Sequence, residues 1–106
     1  MQKPPNHLDA EAKKMWKDLV NEYGIDDSAG LGLLTVALES FTRMRQAQRI
    51  LAKEGLSITV KGESVAHPML KVEKDSRAHF YQGIKMMNFD LEPLKTGIGR
   101  PPGRKK

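Results

Sequence analysis

Cysteine is absent from this 106-residue chain, so neither a disulfide framework nor a thiolate metal site can organise it, and its chemistry suits a reducing compartment. Long apolar runs are missing too. None approaches the ~20 residues that span a bilayer, and the opening "MQKPPNHLDA" has no apolar stretch of a secretion signal. The expectation is a soluble protein of the cytoplasm, with no membrane partner. Aromatic residues are scarce, six in all, so aliphatic side chains must build most of the core. Acid is missing from the last stretch. After Glu92 the chain reads "PLKTGIGRPPGRKK", in which no carboxylate side chain occurs and two adjacent prolines exclude a helix or a central strand.

What is present divides accordingly. Of 18 basic residues, five (Lys95, Arg100, Arg104, Lys105 and Lys106) lie beyond Leu94, and the 13 that remain balance the 13 acids. The whole formal excess of +5 therefore belongs to the last dozen residues. A neutral body, residues 1–94, followed by a flexible cationic tail, residues 95–106, is the pattern of a folded unit with an arm for a polyanion. The body is one domain near the small end of what a single core stabilises, so self-association would help it.

Leu8, Ala12, Met15, Trp16, Leu19, Val20 and Tyr23 recur at three- and four-residue steps, predicting an amphipathic helix with Asp9 as cap and Gly24 as stop. "IDDS" supplies caps for a second helix from about Ala29 to Glu54, closed by Gly55 and about 39 Å long. On its wheel Leu33, Leu34, Val36, Ala37, Leu38, Phe41, Met44, Ala47, Leu51 and Ala52 cover roughly 200°, about twice one docking stripe. Either a neighbouring subunit covers the surplus, with Leu34, Phe41, Met44 and Leu51 at the interface, or helices before and after it do so within one chain. "LSITVKGESVAHP" predicts a small β-hairpin turning at "KGE". Pro68 then opens a third helix carrying Met69, Val72, Ser76, Phe80, Gly83, Ile84 and Met87 on one face, where Ser76 and Gly83 would admit a close helix. Phe89 and Leu91 mark a docking segment before the tail. The fold class is mainly α, with three helices, a long central one, and a hairpin between the second and third.

Catalysis finds little support. His7, His67 and His79 lie far apart, no metal-ligand spacing is present, and "GLG" and "GIG" lack the Lys-Ser/Thr of a phosphate loop. No enzyme, no cofactor and no metal are expected. His67 reads as a cap of the third helix, and Asp26 and Asp27 sit where a helix N-terminus favours acid.

Cations are better placed. Arg45, Arg49 and Lys53 follow at i, i+4 and i+8, with no acid between Glu39 and Glu54, and form one stripe suited to phosphate. On the third helix Lys71, Lys74 and Lys85 are diluted by Glu73 and Asp75. In the tail, Gly99-Arg100-Pro101 resembles most of the R-G-R-P core of AT-hook peptides, which place arginine in a narrow minor groove; Ile98 replaces a basic residue there. The candidate DNA-binding residues are thus Arg45, Arg49, Lys53, Lys95, Arg100, Arg104, Lys105 and Lys106.

Taken in order, "PPNHLDAEAKKMWKDLVNEYG", "ALESFTRMRQAQRILAKEGLSITVKG" and "HPMLKVEKDSRAHFYQGIKMMNFDLEP" resemble the small terminase subunits of tailed phages, from Pro4 to about Pro93. The resemblance implies a non-catalytic homo-oligomeric ring that recognises double-stranded viral DNA in the host bacterial cytoplasm. It also implies a partner, a large terminase subunit carrying the ATPase and nuclease. Many relatives carry an N-terminal helix-turn-helix; "GIDDS" leading into a very long helix does not match one. A small chromatin-like or regulatory DNA-binding protein with the same tail, and a protein-interaction adaptor, are the alternatives.

Overall fold

The structure is a computed structural model that describes residues 3–88. Elements follow in the order α1 (Ala10–Tyr23), α2 (Ser28–Glu54), β1 (Ser57–Val60), β2 (Glu63–Ala66) and α3 (Met69–Met86). This is the expected mainly helical architecture with its hairpin between the second and third helices.

Local chemistry sets the boundaries. Asp9 Oδ1 accepts the Ala12 N–H at 2.8 Å, satisfying one of the donors that a helix start leaves open. At the other end Gly24, at φ 62°, lets the Val20 carbonyl accept from Gly24 and from Ile25, a Schellman-type stop. Asp27 repeats the capping for α2, its Oδ2 accepting from Gly30 at 2.8 Å. For α3 the cap is His67: its Nδ1 accepts the Met69 N–H at 3.0 Å, while the Leu70 N–H reaches the His67 carbonyl at 3.0 Å. With Nδ1 an acceptor, the ring proton sits on Nε2 and is donated to Glu54 at 2.7 Å. His67 thereby ties the end of α2 to the start of α3, and it is buried.

Both flanking helices run antiparallel to α2. Asp9 and Glu11 at the start of α1 meet Thr42 Oγ1 and Arg45, whereas Trp16 Nε1, farther along α1, donates to Thr35 Oγ1 at 3.3 Å, earlier in α2, which shows the reversed direction. On the other side Phe80 meets Phe41 with ring centroids 5.2 Å apart, and Gln48 meets Glu73. At Gly83 a Cβ atom would lie 2.8 Å from the Ala37 Cβ, so only glycine admits this approach, and Ser76 on the same face is buried. The expected close helix is α2.

Between them the three helices enclose Leu8, Ala12, Trp16, Val20, Leu34, Leu38, Phe41 and Met44. Each large apolar side chain so removed from water contributes on the order of 1.5–3 kcal/mol. The wide arc of α2 is therefore divided between α1 and α3 of the same chain. Leu34, Phe41, Met44 and Leu51, expected at a subunit interface, are 0–9% exposed here, so their removal from water needs no second subunit. Leu33, Val36 and Ile50 remain exposed on α2, and Met86 on α3.

The hairpin pairs Ile58 with Val65 and Val60 with Glu63. Its two-residue loop, Lys61 at φ 51° and Gly62 at φ 82°, has the two positive φ values of a type I′ turn. Most of its residues are exposed.

Candidate nucleic-acid interface

Phosphate recognition requires cations that face solvent without a nearer carboxylate, and the outer side of α2 separates those that qualify from those that do not. Arg45, Arg49 and Lys53 do share a side of the helix, but their partners differ. Arg45 turns toward α1, where Nε donates to Glu11 Oε1 at 2.9 Å, and its guanidinium also donates to Gln48 Oε1. Gln48 Nε2 in turn donates to Glu73 Oε2 at 2.9 Å, and Glu73 Oε1 accepts from Arg77 at 2.7 Å. A polar chain thus runs from α1 over α2 to α3.

Arg49 lies beside Asp9 at 3.6 Å, too far for a good hydrogen bond. Lys53 is exposed and has no acidic partner among the described residues. Arg43, which the i, i+4, i+8 spacing passed over, is exposed and likewise free of acid. It lines a shallow pocket with His7, Leu8, Glu39, Thr42 and Gln46. Local spacing would assign Glu39, four residues earlier, to Arg43. Instead Glu39 Oε2 binds His7 Nε2 at 2.7 Å, and the arginine is left open.

The open face is therefore Arg43, Gln46, Ile50 and Lys53, with Arg49 beside it. From Arg43 to Lys53 it extends about 15 Å along the helix, the axial rise of roughly four to five base pairs. Flexible amide and basic side chains on a rigid helix suit a phosphate backbone and carry no base-reading geometry of their own.

Elsewhere among the described residues, Lys14, Lys71 and Arg77 are paired with acids four residues away on their own helices. Hydrogen bonding and charge from Asp75 raise the Lys71 ammonium above its ordinary value, and Glu73 does the same for Arg77. Glu73 is held below the ordinary carboxylate range, first by the Arg77 hydrogen bond and then by Gln48. Asp75 is lowered by its hydrogen bond from Lys71. On α3 this leaves Lys74 and Lys85 without a salt bridge among the described residues. No group of three or more potential metal ligands occurs among those residues, and none of their helices is long and apolar enough to cross a membrane.

The remaining candidates, Lys95, Arg100, Arg104, Lys105 and Lys106, lie outside the described residues, as does the segment around Phe89 and Leu91.

Comparison with known proteins bears on what such a face serves. No curated protein and no solved structure matches the chain. A family model described as phage terminase, small subunit, matches residues 12–92. That span takes in all of α2, the hairpin and α3, and nearly all of α1. On that match over most of its length, with the three-helix-and-hairpin body that the match covers, the chain belongs to the phage terminase small subunits.

Proposed function

We propose that the chain is a non-catalytic subunit of viral genome packaging. It assembles as a ring of many copies, recognises double-stranded viral DNA in the host cytoplasm, and delivers it to a separate large subunit that holds the ATPase and nuclease. The observation that carries this reading is the family match, which spans nearly all of the helical body. The basic face of α2 supports it: Arg43, Arg49 and Lys53 point outward on a stretch with no acid between Glu39 and Glu54. Phosphate contact is assigned to Arg43 and Lys53, to Arg45 and Arg49 once released from Glu11 and Asp9, and to Lys95, Arg100, Arg104, Lys105 and Lys106. Subunit contact is assigned to the apolar positions that the chain itself leaves exposed, Leu33 and Val36 on α2 and Met86 on α3.

Gel filtration with light scattering, run on the full chain with and without a DNA duplex, tests the proposal. A discrete species of many copies that takes up duplex is the expected result. A monomer or dimer that binds DNA would instead favour a regulatory or chromatin-like protein using the same cations. An assembly without DNA affinity would favour an adaptor.

A further inference from the structure

Two acids at the start of α1 lie against the cations of α2 in register. Because the helices are antiparallel, Asp9 faces Arg49 and Glu11 faces Arg45. The acids are held there by more than their charge. The Asp9 N–H donates to Thr42 Oγ1 at 3.4 Å, and Leu8 and Ala12 on either side of them are buried in the core.

Neither ion pair is a tight one. The Arg45 and Glu11 side chains are 39% and 52% exposed, where solvent screens the attraction. Asp9 spends Oδ1 on its capping bond, and its other oxygen, Oδ2, is buried without any hydrogen-bond partner. Arg49 stands 3.6 Å from that oxygen, close enough to neutralise it and too far for a good hydrogen bond to fix the guanidinium in place. Arg43 and Lys53, before and after this pair on the same helix, carry no such cover.

We propose that Asp9 and Glu11 are an internal stand-in for phosphate, occupying Arg45 and Arg49 until a DNA backbone displaces them. The inference rests on the DNA-binding reading above and specifies how that face is regulated. Arg43 and Lys53 make first contact. Arg45 and Arg49, which lie round the helix from Arg43, then exchange a carboxylate for a phosphate, so that α2 engages with two cations when covered and with four when open. A free subunit thereby avoids presenting its full charge to every polyanion, and DNA held long enough recruits the rest.

The test uses the full chain carrying Asp9→Asn and Glu11→Gln. Asn caps a helix as well as Asp does, so α1 is retained, and Glu11→Gln alone serves if the double variant melts early. A control, Glu22→Gln with Asp26→Asn, makes the same change of charge at the other end of α1, where neither acid has an ion pair among the described residues. Binding of a labelled duplex is followed by anisotropy over a range of KCl concentrations. Because Arg45 and Arg49 end on phosphate in both forms, removing the acids should tighten binding at low salt on the order of tenfold and leave the salt dependence of log K nearly unchanged. The control should show no tightening to that extent. If the control matches the double variant, bulk charge explains the gain and the cover does not exist. If the parent binds DNA and the double variant binds no better, the inference fails while the DNA reading stands. If no form binds duplex at any salt, the DNA reading itself falls, and this inference with it.

Discussion

Glu73 receives hydrogen bonds from two helices at once, Gln48 of α2 at 2.9 Å and Arg77 of its own α3 at 2.7 Å, and its side chain is only 13% exposed. Both donors favour the carboxylate, which is why it stays charged below the ordinary glutamate range near about 4.3. The sign of the linkage follows. A depressed folded value means that the unfolded chain binds the proton first, so this stabilisation is complete above the unfolded value and is lost as pH falls through the folded one. Thermal melts of the parent should therefore fall more steeply below about pH 4.3 than those of Glu73→Gln, which has no charge to lose. Equal acid slopes would show that the link between α2 and α3 does not depend on the charge. His67 and Arg45 show what single residues disclosed in advance. An imidazole just before Pro68 signalled a cap, because capping is decided within a few residues. The partner of Arg45 is 34 residues away in α1, and no wheel drawn on α2 alone contains it.

Among elements, α2 is the one on which everything else is arranged, and its two neighbours use different means. Against α1 it meets large side chains, Trp16 of α1 among them; against α3 it packs Phe41 on Phe80 and also brings the helices close, at the Ala37–Gly83 approach. Gly83→Ala should accordingly cost on the order of 1–3 kcal/mol, since the new methyl meets the Ala37 Cβ and the helices must part. Gly32→Ala is the counter-case. It adds a methyl to the same long helix where nothing lies within 4 Å, and should stabilise by up to about 1 kcal/mol through helix propensity. Denaturant midpoints that moved in the same direction for both would contradict the close packing. Caps, stops and periodicity made these elements readable from the sequence: Asp9, Gly24, Asp27 and Gly55 are local signals, and Ser28–Glu54 matches the expected helix to within one residue. The small residues at Ser76 and Gly83 also announced a close neighbour. What the spacing left open was which helix would cover which part of the α2 arc, because periodicity measures the width of an apolar face and is silent on its occupant. Arg43 escaped notice for a related reason, since Glu39 at helical spacing is diverted to His7 only in the folded chain.

For the whole molecule the charge balance divides at Leu94, and that division can be tested directly. Removing residues 96–106 should leave the helical signal and the melting midpoint nearly unchanged. It should also flatten the salt dependence of log K by roughly 3 to 4 units per engaged subunit, if Arg100, Arg104, Lys105 and Lys106 each neutralise a phosphate. A slope that survives truncation would place all of the phosphate contact on the helical body. The antiparallel arrangement has an electrostatic consequence of its own. Each helix carries roughly half a positive charge at its N-terminus and half a negative one at its C-terminus. At one end of the body the start of α3 adjoins the last turn of α2, where His67 meets Glu54, and these two partial charges offset each other. The start of α1 lies farther back along α2, beside Thr42 and Arg45. At the other end the finish of α1 and of α3 accompanies the start of α2, where Asp26 and Asp27 add their carboxylates. The partial positive charge at the start of α1 thus sits beside Arg45 and Arg49, where Asp9 and Glu11 offset it, while the start of α2 is offset by Asp26 and Asp27.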